Sequence, residues 1–225
     1  MDRNIIVTGG SHGLGLGITE KLRKSGYHPI IWEAAEPPLF LATEMDLSFI
    51  KKIREDVGPI YGLVNNAGIG TSGLLANMQD STIEALILHN ALAPALLTKH
   101  VIRAMMTDGI KDGRIISISS VAAFTGFSGL SLYSMTNAAL IGFTKSLARE
   151  LGPLGITVNA ICPGFEDAAM VEETGHDNRE QVRRRSPLGR LAQINDIANA
   201  VEFLISDNAR NITGTVITVD AGATA

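Results

Sequence analysis

The segment Thr8-Gly9-Gly10-Ser11-His12-Gly13-Leu14-Gly15 puts four glycines into eight positions, directly after the apolar run Asn4–Val7. Glycines between a strand and a helix let the backbone bend sharply and approach a pyrophosphate, which the positive end of the helix attracts. A glycine cluster by itself equally describes a plain tight turn. Its place after a first strand and before a helical segment favours the phosphate reading, with Gly9, Ser11, His12, Gly13, Leu14 and Gly15 as the contact residues. About 20 residues on, where such sites keep an acid for the ribose hydroxyls, Glu33 ends the second apolar run. A carboxylate there accepts from ribose hydroxyls and repels a 2′-phosphate, which favours NAD(H), with NADP(H) as the alternative. The plain reading of Glu33 is an exposed strand-end acid. His12 places an imidazole where a cation would meet a phosphate, but most histidine is uncharged at neutral pH.

The elements that must carry this loop follow from periodicity. The runs Asn4–Val7, Pro29–Trp32, Leu39–Ala42, Gly62–Val64, Arg114–Ile118, Thr157–Ile161 and Val216–Val219 are short and bounded largely by Gly, Asn or Asp. They read as strands buried on both faces. Between them, Gly13–Ser25, Ser48–Val57, Ser81–Met106, Tyr133–Leu151 and Asn195–Ser206 have helical spacing of Leu, Ile, Ala and Met. This alternation predicts an α/β fold, a doubly wound parallel sheet in a single domain spanning residues 1–225. Only about five residues, including Pro37-Pro38, separate the second and third runs, where a parallel crossover takes a dozen or more. A shortened loop is expected there.

Composition narrows the function classes. The 225 residues carry 19 Lys+Arg against 23 Asp+Glu, a net charge of -4 with no basic block, which argues against nucleic-acid or anionic-membrane partners. Cys162 is the one cysteine, so no internal disulfide forms, and no paired Cys/His spacing suggests a metal. The apolar runs are interrupted, so no membrane span is expected. Ile5-Ile6-Val7 leads into Thr8-Gly9-Gly10 rather than a cleavage site, so a soluble cytoplasmic domain is expected.

At this point the chain resembles the short-chain dehydrogenase/reductase family over essentially its whole length. Thr8-Gly9, Gly13 and Gly15 match the TGxxxGxG loop, Asn65-Asn66-Ala67-Gly68 the NNAG motif, and Pro163-Gly164 the PG turn near the nicotinamide. Asp46-Leu47 match the acid-plus-aliphatic pair placed against the adenine; Ile212-Thr213-Gly214 with Val219-Asp220 match the C-terminal signature. The resemblance implies a Rossmann-type fold and hydride transfer between a nicotinamide and a carbonyl or alcohol. It implies Ser120 and Tyr133, thirteen residues apart, as the catalytic serine and tyrosine, and Asn90 as the helix asparagine of a proton relay. It also places Asn66, Ala67, Gly68, Pro163 and Gly164 at the cofactor.

Two positions depart from the family pattern. The lysine four residues after the tyrosine, which holds the nicotinamide ribose and lowers the tyrosine pKa, is Asn137 here. An asparagine can hydrogen-bond a ribose hydroxyl but supplies no charge. Losing a cation so close costs roughly ten- to a thousandfold in the reactive form. Beyond Pro163-Gly164 the chain reads Phe165-Glu166-Asp167-Ala168, with Ala168 where the family keeps a carboxamide-touching threonine. The alternatives to an active reductase are therefore an impaired or non-catalytic nucleotide-binding homologue, and non-redox chemistry by Tyr133 with Glu166-Asp167.

The substrate loop is expected at about 165–190, where Glu172-Glu173, His176-Asp177 and Arg183-Arg184-Arg185 read better as a solvated face than as a recognition site. The nearest subgroup by resemblance is the 3-oxoacyl-carrier-protein reductases, implying a ketone or acyl-thioester substrate, in one version bound to a carrier protein. Arg103 matches a basic position used to dock the acidic carrier, whereas the second such position is Leu154. The helices Ser81–Met106 and Tyr133–Leu151 carry apolar residues beyond one core stripe, which fits a homotetramer or homodimer.

Overall fold

The computed structural model describes residues 3–33, 47–164 and 183–225. Among the described residues, six strands, β1 (Asn4–Thr8), β2 (His28–Trp32), β3 (Ile60–Asn65), β4 (Arg114–Ile118), β5 (Thr157–Pro163) and β6 (Val216–Val219), form one sheet in the order β2-β1-β3-β4-β5-β6. Every neighbouring pair is parallel. Among the described residues, six α-helices surround it: α1 (Gly13–Lys24), α2 (Leu47–Val57), α3 (Asp80–Ile87), α4 (Ala93–Thr107), α5 (Ser131–Leu151) and α6 (Ile194–Ile205). The doubly wound expectation holds, and the expected strand at Leu39–Ala42 lies outside the described residues.

Strand alternation sorts the apolar side chains between two cores. Ile5 and Val7 of β1, with Val64, Ile116 and Ile161, pack beneath Ile18 and Leu22 of α1 and Ile197, Val201 and Leu204 of α6. Ile6, Leu63, Ile115 and Val158 point the other way, against Ile50 and Ile53 of α2, Leu97, Val101 and Met105 of α4, and Leu147 and Leu151 of α5. With both faces covered, a strand can be apolar at every position, which is why the runs show no polar alternation. Helices α1 and α6 approach so closely that a Cβ on Gly17 would lie 2.2 Å from Ile194 Cγ2.

The expected single helix Ser81–Met106 is instead α3, a π turn over Leu88–Leu92, and α4. Pro94 accounts for the break: it has no N–H, and its ring would strike the carbonyl of Asn90 four residues earlier in a regular helix. The widened turn removes that clash. Contrary to the expectation of no membrane-length span, Asp80–Thr107 is long and apolar enough to cross a membrane by length and composition. Here its apolar residues Leu97, Val101 and Met105 are buried in the core above the sheet.

Candidate functional site

The chain runs outward from β1 to β2 and then returns to β3 on the other side of β1, so the strand order reverses between β1 and β3. In open α/β sheets a ligand sits beyond the carboxyl ends of the strands at such a reversal. The side chain that organises this point is Thr8. Its Oγ1 accepts from the backbone N–H groups of Asn66 (2.9 Å) and Ala67 (2.8 Å), and donates to Val64 O at 3.4 Å. Asn66 Nδ2 returns the contact, donating to Thr8 O at 2.9 Å and Gly9 O at 3.3 Å. The Asn65–Gly68 segment is thereby clamped to the glycine loop. Asn65 Nδ2 donates to Thr98 Oγ1 of α4 at 2.9 Å, so it supports the strand rather than the ligand.

The glycine loop has the geometry its composition anticipates. Gly9 sits at φ +65 and Gly13 at φ +49, where L side chains are strained. A Cβ on Gly15 would lie 1.8 Å from Gly9 O, whereas nothing stands within 4 Å of one on Gly13. The loop is thus folded tightly on its inner side and open on its outer side, at the start of α1. His12 caps that helix with extended backbone and makes no side-chain cap, and the first turn holds no acid. This is a cradle a pyrophosphate fits. Glu33 is fixed at its edge: its Oε1 accepts from Ser11 N–H at 2.8 Å. Ser11 Oγ lies 3.2 Å from His12 Nδ1. The second oxygen of Glu33 remains on the exposed side, where a ribose hydroxyl would donate.

Beside the loop a shallow open cleft is lined by Thr8, Trp32, Asn65, Ala67, His89 and Leu97, among others. It lies at the strand reversal, between the ends of β1 and β3 and the start of α4.

The catalytic candidates gather at the ends of β4 and α5. Ser120 follows β4 in extended conformation and caps the short helical turn Val121–Ala123, its Oγ accepting from Ala122 N–H at 3.2 Å. That contact occupies a lone pair and leaves the O–H to donate. Helix α5 is joined to β4 by Ser119, whose Oγ donates to Asn137 O at 3.0 Å. Tyr133 lies half-buried in the first turn of α5. Asn90, 5% exposed, bridges the π turn to the chain beyond Gly68: its Oδ1 accepts from Ile69 N–H at 2.9 Å and its Nδ2 donates to Ile69 O at 2.8 Å. Gly68 permits that approach, since a Cβ there would stand 3.2 Å from Asn90 Oδ1. Asn90 Nδ2 also reaches Thr136 Oγ1 at 3.4 Å, and Thr136 Oγ1 donates to Tyr133 O at 2.9 Å. The relay asparagine and the tyrosine's helix turn are therefore tied through Thr136.

Asn137, 5% exposed, turns its Nδ2 back onto Tyr133 O at 3.0 Å. One of its two amide hydrogens is committed inside the helix, which leaves the other and Oδ1 for a ribose hydroxyl. Pro163 ends β5 and Gly164 N–H donates to Val219 O at 2.9 Å; a Cβ on Gly164 would lie 2.6 Å from that of Asp220. Asp220 closes the final turn by accepting from the N–H groups of Gly222 and Thr224, each at 2.9 Å. Cys162 is buried beside Ser119 and Ser120, and burial pushes its thiol pKa up. Asp46, the Leu47 side chain, Glu166, Asp167 and Ala168 lie outside the described residues, as does most of the expected substrate loop. Arg183-Arg184-Arg185 are exposed on a helical turn, as a solvated face requires, and Arg103 is exposed on α4. Sequence reasoning missed Thr136, His89 and Trp32 as residues near the site. Pro94 was the available signal for the helix break that sets His89 and Asn90 in place.

Comparisons with known proteins agree with this geometry. The family described as Enoyl-(Acyl carrier protein) reductase matches residues 42–224. The 3-oxoacyl-[acyl-carrier-protein] reductase FabG of Escherichia coli strain K12 is 38% identical over 234 residues, covering 96% of this chain and 95% of that protein. The FabG of Aquifex aeolicus is 37% identical over 238 residues, with coverage of 96% and 95%. Among solved structures, ElxO with NADP bound superposes with a TM-score of 0.88 at 27% identity, covering 99% of both chains. With this sheet, this glycine loop and these relatives, the chain belongs to the short-chain dehydrogenase/reductase family of NAD(P)-dependent oxidoreductases and is related to the FabG reductases.

Proposed function

We propose that the protein reduces a ketone or 3-oxoacyl thioester with a nicotinamide cofactor. The observation that carries this is the hydrogen-bonded path from Ile69 through Asn90 and Thr136 to the backbone carbonyl of Tyr133, together with Ser120, whose O–H is left to donate. When bound, the nicotinamide supplies or accepts the hydride. Ser120 donates its O–H to the substrate carbonyl, and Tyr133 gives its phenolic proton to the oxygen as it gains charge. Asn90 and Thr136 hold that turn of α5 in place. Glu33, pinned by Ser11, presents a carboxylate where a 2′-phosphate would sit, so NADH is the expected cofactor, although ElxO was solved with NADP.

The substrate side supports an uncharged, apolar group. Residues 57–79 and 115–144, which follow β3 and β4 into the site, contain no charged residue. Leu74 and Phe124 are 61% and 51% exposed there. Arg103 and the FabG relatives support an acyl-carrier protein as the donor of that group; Arg103→Glu should then weaken carrier-protein binding at low salt. Exposed Ile87, Leu92, Met106 and Met135 on α3 to α5 support a homotetramer or homodimer; a monomeric mass by light scattering would remove that support.

The test is calorimetric titration with NADH and NADPH followed by a ketone and acetoacetyl-thioester panel. NADH should bind more tightly than NADPH, Tyr133→Phe should abolish turnover without loss of NADH binding, and Asn137→Lys should raise turnover. A second reading, a nucleotide-binding homologue without turnover, is favoured by one observation: Asn137 carries no charge, and its Nδ2 donates to the backbone carbonyl of Tyr133. Binding of NADH with no reduction of any substrate, even by the Asn137→Lys variant, would establish it.

A further inference from the structure

Apolar packing alone does not set the height of α5 along the sheet. Leu147 and Leu151 of α5 share one core with Ile115 of β4 and Val158 of β5, and such contacts have no direction. The hydroxyl of Ser119 does have one. Its Oγ donates to Asn137 O at 3.0 Å, while its own N–H donates to Ile161 O at 2.8 Å and continues the β4–β5 ladder. Ser119 is therefore fixed to β5 through its backbone and to α5 through its side chain. A hydroxyl on this face does not bond the helix automatically. Ser117, two residues earlier on the same face of β4, is buried with no partner for its Oγ among the described residues.

Cys162 completes the connection. Its thiol is fully buried, and its sulfur meets both Ser119 Oγ and Ser120 N–H. Ser119 uses its own proton on Asn137 O, so a lone pair on Ser119 Oγ is the acceptor available to the thiol proton. The sulfur in turn accepts from Ser120 N–H. The result is one chain of donors: Ser120 N–H to Cys162 Sγ, Cys162 S–H to Ser119 Oγ, and Ser119 O–H to Asn137 O. From there Asn137 Nδ2 donates to Tyr133 O at 3.0 Å, so the chain runs from the backbone of Ser120 to the turn that carries Tyr133. Ser119 and Asn137 are each 5% exposed, so little water competes for these bonds.

We propose that Ser119 is a positioning residue for carbonyl reduction: by holding Asn137 O it sets the Tyr133 turn of α5 at the height of Ser120, so that both hydroxyls meet one substrate oxygen. The proposal rests on the reductase reading above and assigns no proton transfer to Ser119. Ser119→Ala keeps the apolar packing of α5 and removes the bond that ties it to the strand bearing Ser120. A displacement of about 1 Å between reacting groups costs roughly a hundredfold in rate.

Cys162 is the one cysteine of the chain, so the infrared S–H stretching band reports on this contact alone. A hydrogen-bonded S–H absorbs at lower frequency than a free one. The unaltered protein should show the bound frequency and Ser119→Ala the free one. On the ketone and acetoacetyl-thioester panel, Ser119→Ala should lower kcat by about ten- to a hundredfold, with KM changed by less than about threefold. NADH binding by calorimetry checks that the variant is folded. Ser119→Thr, which keeps the hydroxyl, should restore both kcat and the bound band. A free-thiol band in the unaltered protein, an unchanged kcat in Ser119→Ala, or a loss carried by KM alone would overturn the assignment while leaving the reductase reading in place. NADH binding without turnover of any substrate, even with Asn137→Lys, would remove the reductase reading and this role with it.

Discussion

Replacing Gly15 by alanine tests the loop geometry directly. A Cβ at this position would stand 1.8 Å from Gly9 O and 2.6 Å from Asn66 Nδ2. Cβ atoms do not approach other heavy atoms within 3 Å, so something must move by more than an ångström, and the obstructing atom is backbone. Gly9 cannot yield freely. Its N–H donates to Trp32 O at 3.0 Å and its carbonyl accepts from Asn66 Nδ2, which also holds Thr8 O. Overpacking against a fixed backbone costs about 3 kcal/mol. If that cost falls on the cradle, NADH affinity drops by about a hundredfold or more. Gly13→Ala is the control: nothing lies within 4 Å of its Cβ, so only the strain of φ +49 remains, about 1–2 kcal/mol. Calorimetric titration with NADH, alongside urea unfolding of each variant, separates the two. A Gly15→Ala protein that binds NADH as tightly as Gly13→Ala would refute the reasoning.

Three further outcomes are expected. Tyr61, 5% exposed under Arg3 and Arg114, has its pKa pushed up to about 12 by burial, against about 10 when unfolded. The unfolded chain therefore loses its proton first: stability is full below pH 10 and falls by about 2–3 kcal/mol as pH rises to about 12. Tyr61→Phe should flatten that alkaline limb in urea titrations, and an unchanged limb would show that another group causes it. Asn90→Ala strips both partners from Ile69 and should lower unfolding free energy by about 2–4 kcal/mol; a loss under 1 kcal/mol would mean water replaces them. Gly17→Ala should cost about 1–3 kcal/mol through Ile194, with Ile194→Ala recovering part of it; simple additivity of the two losses would argue against that contact.

The division between sequence and structure follows from the range of the interactions involved. Runs such as Ile5-Ile6-Val7 and Ile115-Ile116 must be buried on both faces, so the doubly wound sheet could be read from local periodicity. The glycine loop was also legible, because positive φ and close backbone approach restrict the residue type at the position itself. The spacing of Ser120 and Tyr133 was visible as resemblance, but not the hydrogen bonds that orient them. The break at Leu88–Leu92 was hidden by unbroken apolar spacing, although Pro94 was the local cause. Asn137 read as a ribose contact in place of lysine; only the folded helix shows its nitrogen donating to Tyr133 O. His89 and Trp32, 57 positions apart, have no sequence pattern linking them and meet only because α4 packs beside the ends of β1 and β3. The sequence thus determined what each segment must do with its own backbone and apolar face. Which distant polar side chains share a cleft, and which of their atoms remain uncommitted, was decided by tertiary packing, because those contacts depend on the register of whole elements.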